Sequence, residues 1–65
     1  SDRFYVESAI NNQYDHEYFS EEEEAMSYVA ELMGREHVTK EDIDKWNEEH
    51  EDDTYISVHE YKVVA

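Results

Sequence analysis

Charge is what most limits the folds open to this chain: nineteen Asp and Glu against five Lys and Arg leave 65 residues at a formal −14. Such a surplus opposes compaction, so the carboxylates must stay in water and a core must be assembled from the remainder. That remainder is enough for one domain. Apolar residues are 38% of the chain, including two Phe, one Trp and six Tyr, too many for a wholly disordered segment. A chain this short buries only about 60% of the surface its unfolded form exposes. With no Cys, neither a disulfide nor a thiolate zinc site can add stability, which leaves oligomerisation. Residues 1–65 are therefore expected to form a single small acidic domain of marginal stability. No apolar run approaches the ~20 residues of a membrane span and no basic segment leads into an apolar one, so a soluble protein is expected.

Two segments near the start alternate in the manner of half-buried strands. Arg3 to Ile10 puts Phe4, Val6, Ser8 and Ile10 on one side, and Tyr14 to Phe19 alternates likewise. A two-residue Asn11-Asn12 loop would set Val6 opposite Glu17 and Ser8 opposite Asp15, placing acids on the core face. A three-residue loop, Asn11 to Gln13, pairs Ile10 with Tyr14, Ser8 with His16 and Val6 with Tyr18, and is the expectation, with Asn12 in the left-handed position. Ser20 and Glu23 form a capping-box pair, and Glu21 to Glu24 suit the first turn of a helix. Ala25, Met26, Val29, Leu32 and Met33 then recur at helical spacing, with Gly34 as the stop. Thr39 and Asp42 form a second capping box, with Val38 and Ile43 as a staple. This second helix has a thin apolar face of Ile43, Trp46 and His50, with Trp46 expected to carry its attachment. Thr54 to Val64 reads as a last strand, with Ile56 and Val58 on one side and Tyr55, Tyr61 and Val63 on the other. The expected fold is α+β, ββααβ, a three-stranded antiparallel sheet of order 2-1-3 with the helices on one face. The other face would be uncovered, with Tyr5, Phe19, Tyr55 or Tyr61 on it and a homodimer as one consequence.

The residues argue against an enzyme. There is no glycine-rich phosphate loop and no nucleophile elbow, and so small a domain leaves little room for a substrate pocket. The four histidines, His16, His37, His50 and His59, stand at no metal-ligand spacing. Asp42 to Asn47 departs from an EF-hand at Trp46 and Asn47, which leaves only Glu48 to Asp53 as a loose calcium cluster. No cofactor or metal is expected.

The acids themselves are clustered. Asp15 to Glu24 holds six and no base; Glu41 to Asp53 holds eight with only Lys45 among them. Glu41, Asp44, Glu48 and then Glu51 or Asp52 recur every three or four residues, a stripe rising about 6 Å per four residues. That rise is close to the phosphate spacing along a nucleic-acid strand. Carboxylates, like phosphates, accept paired hydrogen bonds from Arg, so a rigid row of them can occupy a basic groove. Glu21, Glu22, Glu23 and Glu24 would form a second patch, Asp53 would extend the first, and Trp46, Tyr14, Tyr18, Phe19 and Tyr55, in or beside the acidic runs, would offer anchors among the charges.

The hairpin ending in Tyr18-Phe19-Ser20, the Glu-rich start of the helix through Ala25, and the closing Tyr-Lys-Val strand resemble the small acidic proteins that bacteriophages encode early in infection. The resemblance implies a host-takeover or anti-defence inhibitor, a DNA mimic acting in the bacterial cytoplasm. Its partner would be a basic nucleic-acid-binding host protein: a restriction enzyme, a CRISPR effector, a uracil-DNA glycosylase or the transcription machinery. It would bind no nucleic acid itself and no membrane. The alternative expectation is an interaction module that binds through a sheet edge or the exposed aromatic face, its acidity serving only solubility.

Overall fold

The computed structural model describes residues 2–64, in which β1 (Asp2–Ile10), β2 (Gln13–Phe19), α1 (Glu22–Met33), α2 (Lys40–Glu49) and β3 (Tyr55–Lys62) follow one another. The strands form one antiparallel sheet of order β2-β1-β3, and both helices pack on the same side of it. This is the α+β arrangement the sequence predicts.

The hairpin differs from expectation. Asn11 and Asn12 have φ of 52° and 69°, both left-handed, which makes a two-residue loop whose backbone twist matches the strands it joins. The register is accordingly Ile10 with Gln13, Ser8 with Asp15, Val6 with Glu17 and Phe4 with Phe19. Asp15 and Glu17 therefore do lie on the helix side, and Tyr14, His16 and Tyr18 on the other. Both acids stay in water because β2 is an edge strand that the helices leave largely bare. An open notch of about 480 Å³ between Leu32 and the β1–β2 edge, bordered by Ser8 and Asp15, separates that flank from the helices. Only Phe19, at the end of β2, is drawn under α1, where its ring lies 5.3 Å from that of Tyr28. It belongs to the core side and not to the uncovered face. Two backbone ties fix the turn to the loop before β3: Asn12 N–H donates to the Asp53 carbonyl at 2.9 Å and Asn11 N–H to Thr54 Oγ1 at 3.1 Å.

The helix boundaries follow local chemistry with one exception. The N-cap of α1 is Glu21, without a side-chain cap, so the Ser20 and Glu23 capping box does not form, and the Ser20 hydroxyl donates instead to the Glu24 carboxylate at 3.1 Å. At the other end Gly34 sits at φ 70°, its N–H bonding to Glu31 and that of Arg35 to Ala30, a Schellman closure. The capping box of α2 is complete: Thr39 Oγ1 accepts from Asp42 N–H at 3.2 Å, and the Asp42 carboxylate accepts from Thr39 N–H at 2.9 Å. Hydrogen bonding to the carboxylate by Thr39, from its backbone N–H first and then its side chain, holds the Asp42 carboxyl below the usual carboxylate range.

Val6, Ile56, Val29, Ala25 and Ile43 make the buried centre, with Phe4, Val58, Met26, Tyr28, Leu32, Val38 and Trp46 around it. Burying a side chain such as Ile56 contributes about 1.5–3 kcal/mol, so these few residues carry most of the fold. A polar pair adds what the thin face of α2 lacks. Asn47 Nδ2 donates to the Ile56 carbonyl at 2.8 Å, and Ile56 N–H donates to Asn47 Oδ1 at 2.8 Å. The side-chain amide thus stands in for a neighbouring strand on the outer edge of β3 and satisfies two groups that an edge otherwise leaves open.

Candidate functional site

The strand alternation sorts charge by face. Of the strand acids, Asp2, Asp15, Glu17 and Glu60 share the helix side with Val6 and Ile56, and Glu7 alone is on the open side. The remaining acids are on the helices and loops. The two sides are therefore chemically distinct.

On the helical side, Glu22, Glu23 and Glu24 occupy the first turn of α1, next to the N-cap Glu21, and all four are exposed. Glu22, Glu23 and Glu24 border an open groove of about 840 Å³ along α1, floored by Phe19, Met26 and Tyr28 and rimmed further along by Glu31 and Glu36. Burial, and then the carboxylates of Asp15, Glu17 and Glu31, push the Tyr28 hydroxyl above its ordinary value. The Lys40 ammonium, at the start of α2, lies 3.9 Å from Glu22. Asp2 and Glu60 join this end of the molecule from the sheet. A hydrogen bond with Asp2, partial desolvation, and the nearby charges of Asp2 and Glu22 raise the Glu60 carboxyl, against a smaller opposing effect from Lys40. Three elements, α1, β1 and β3, thus bring their acids to one anionic cluster that also holds Lys40 of α2, and the sequence pattern identified only its helical part.

Along α2, Glu41, Asp44 and Glu48 are exposed at the expected spacing and make three rungs. The ladder stops there. His50 is extended, with φ −112° and ψ 163°, so Glu51 and Asp52 lie in the turn that Thr54 N–H closes on the Glu51 carbonyl at 2.9 Å, and do not continue the helical stripe. Asp53 has structural work, accepting from Asn12 N–H through its carbonyl and from Thr54 Oγ1 at 3.3 Å through its carboxylate. Trp46 is half-buried against the core and its ring lies 3.9 Å from that of His50, so its attachment to the core is what the sequence predicts and its use as an external anchor is reduced. Tyr55 is on the opposite side of the sheet from the ladder.

The open side carries Tyr5, Tyr14, Tyr18, Tyr55 and Tyr61 with His16 and His59. Tyr5 is at the centre: its ring stacks on His59 at 4.6 Å, tilts against Tyr18 at 5.5 Å and meets Tyr61 edge-on at 6.3 Å. Tyr18 and Tyr14 remain 62% and 58% exposed, large areas for aromatic rings to leave in water. Glu7 organises one end of this surface. Its Oε1 lies 3.1 Å from His59 Nε2, and its Oε2 accepts from the hydroxyls of Tyr14 at 3.2 Å and Tyr55 at 3.5 Å. Loss of water around the hydroxyls, and then the Glu7 carboxylate, push Tyr14 and Tyr55 above the ordinary tyrosine value.

Sequence reasoning named Tyr5, Tyr55 and Tyr61 for this surface but missed Tyr14, Tyr18, His16 and the role of Glu7. The signal was present in Asn11-Asn12, a pair suited to two consecutive left-handed residues. Among the described residues, no group of three or more His, Asp or Glu side chains is placed to hold a metal ion, the Glu48 to Asp53 cluster included. No described helix is long and apolar enough to cross a membrane. No protein-family model matches this chain, and no curated protein or solved structure is significantly similar to it.

Proposed function

We propose that this protein is a stoichiometric inhibitor that occupies the basic nucleic-acid-binding site of a host enzyme by presenting carboxylates in place of phosphates. The observation that carries this reading is the partition of charge: four of the five strand acids face the helix side, alongside the acid-rich helices, while the open side keeps Glu7 alone. A surplus that served only hydration would have no need of that partition. Glu41, Asp44 and Glu48 supply the ladder, Glu21 to Glu24 with Asp2 and Glu60 a second patch, and the groove floored by Phe19, Met26 and Tyr28 the apolar contact that converts attraction into specificity. No reaction is involved. By the resemblance to phage proteins, the target is a restriction, CRISPR, DNA-repair or transcription component and the site of action is the bacterial cytoplasm.

The test is capture from a bacterial lysate with elution by a salt gradient, followed by displacement with duplex DNA. Retained nucleic-acid enzymes that DNA releases, that elute as salt rises, and that are lost with the triple variant Glu41→Gln, Asp44→Asn, Glu48→Gln support the proposal. Equal retention by the triple variant would sink it. The exposed aromatic surface favours a second reading, an interaction module acting through the sheet. In that case Tyr61→Ala abolishes capture and neither salt nor the triple variant matters.

A further inference from the structure

We infer that the open face of the sheet is a self-association surface, and that its occupant is a second copy of this chain related by a two-fold axis running across the strands at Tyr5. The inference is independent of the inhibitor reading. Its first support is electrostatic: two molecules of charge −14 repel wherever their acidic sides meet, and the open face is the side that strand alternation keeps almost free of carboxylate. Joining the copies there leaves both helical sides outermost.

The second support is the order of residues on β1, the central strand. Arg3, Tyr5 and Glu7 follow one another on the open face, a cation and a carboxylate equally spaced about an aromatic ring. A two-fold axis across the strands at Tyr5 exchanges those positions, bringing Arg3 of each copy over the partner's Glu7 and Tyr5 over the partner's Tyr5. Among the described residues, Arg3 makes no ion pair within its own chain, whereas Glu7 is held in place by His59, Tyr14 and Tyr55 with acceptor capacity to spare. The same axis sets the large Tyr61, level with Arg3, over the partner's small Ser57, level with Glu7. Self-complementarity of both charge and size is what an isologous contact needs.

The area sets the strength. Three strands about 4.8 Å apart and some eight residues long, at about 3.3 Å each, give a flat footprint of roughly 350–400 Å² per copy before side-chain relief is added. That is about half the ~800 Å² per partner of a standard stable interface, so the dimer is reversible and concentration-dependent.

Sedimentation equilibrium of the full chain over a range of concentration and salt tests this. The expected result is a monomer–dimer equilibrium that strengthens as salt screens the mutual repulsion, the opposite of the salt dependence of target binding. Tyr18→Glu, at a largely exposed position, is expected to abolish the dimer without unfolding the monomer. Arg3→Glu alone and Glu7→Lys alone are each expected to be monomeric, while their equimolar mixture recovers the dimer. If Glu7→Lys does not fold, Tyr18→Glu and Arg3→Glu decide by themselves. A monomer under all conditions, a dimer that weakens with salt, or a dimer that survives both Tyr18→Glu and Arg3→Glu overturns the inference.

Discussion

The two faces of the sheet are built from the same three strands yet are held by different physics. The helix side owes its order to burial: Val6, Val29 and Ile56 are almost completely removed from water, and the acids around them stay solvated at the rim. The open side owes its order to ring contacts and to one carboxylate, with water on top of both. A side chain on the first face should therefore be worth several times one on the second. Ile56→Ala is expected to cost about 2–5 kcal/mol through lost burial and the cavity left behind. On a domain of this length, with about 3–10 kcal/mol in all, that is enough to leave much of the chain unfolded at ambient temperature. Tyr18→Ala should cost under about 1.5 kcal/mol, the scale of exposed aromatic pairs. Urea titrations followed by circular dichroism measure both, and equal losses would show that the aromatic face is as much a core as the other.

Asn47 belongs to neither face, because it works in the plane of the sheet at the edge of β3. Asn47→Ala removes two hydrogen bonds at once and leaves the Ile56 N–H and carbonyl without their partner, a cost of about 1–3 kcal/mol. The change should appear as faster hydrogen exchange at the Ile56 amide. Glu48→Ala, one residue on and exposed, should leave that amide protected. If both variants exchange alike, packing of α2 and not the amide pair protects the edge.

The contrast between the faces also explains which parts of the fold were legible in the sequence. Gly34, the Thr39 and Asp42 pair and the helical spacing from Ala25 to Met33 are signals whose cause lies within one or two turns, and the structure honours them. The register of β2 was misread because acids under a helix layer are normally excluded. That rule assumes that the layer reaches every strand, and here it stops short of β2, so Asp15 and Glu17 reach water through the open flank. The ladder of α2 was overextended for a related reason. Spacing alone carries Glu51 and Asp52 onto the stripe, whereas His50 turns back on Trp46, its Nδ1 2.6 Å from the Trp46 carbonyl, and ends the helix. Glu7 could not be recognised as an organising group because its three partners come from β2 and β3, seven to fifty-two residues away.

That organising role makes a sharper test of the open face. In Glu7→Gln the hydroxyls of Tyr14 and Tyr55 lose the charge that opposes their ionisation, so both should titrate closer to the ordinary tyrosine range, visible in tyrosinate absorbance. A tyrosine raised on folding contributes stability that is present below its unfolded pKa of ~10 and is lost as pH rises through the folded value. The native chain should therefore lose stability more steeply in alkali than the variant. At neutral pH the expected cost is about 1 kcal/mol, typical of a hydrogen-bonded group still partly in water. Unchanged tyrosine titration would mean that shielding by neighbouring rings, and not Glu7, sets those hydroxyls.

The smallest expected effect lies at the turn that decides which side chains reach which face. Asn11 and Asn12 both hold positive φ, a conformation that Asn tolerates and that Gly adopts without steric cost. Asn12→Gly relieves the folded state but also gives the unfolded chain more freedom to lose, and the two nearly offset. A gain of no more than about 0.5 kcal/mol is expected, against a loss of about 1 kcal/mol for Asn12→Ala, whose methyl meets the left-handed region with no side-chain hydrogen bond in return. Both variants keep the Asn12 N–H that bonds to the Asp53 carbonyl, so the difference between them isolates backbone conformation from tethering. Gln13→Gly separates the two registers. In the two-residue turn Gln13 is a strand residue paired with Ile10, and glycine there costs stability. In a three-residue loop the same change would be neutral or favourable, and Tyr14, His16 and Tyr18 would then face the helices.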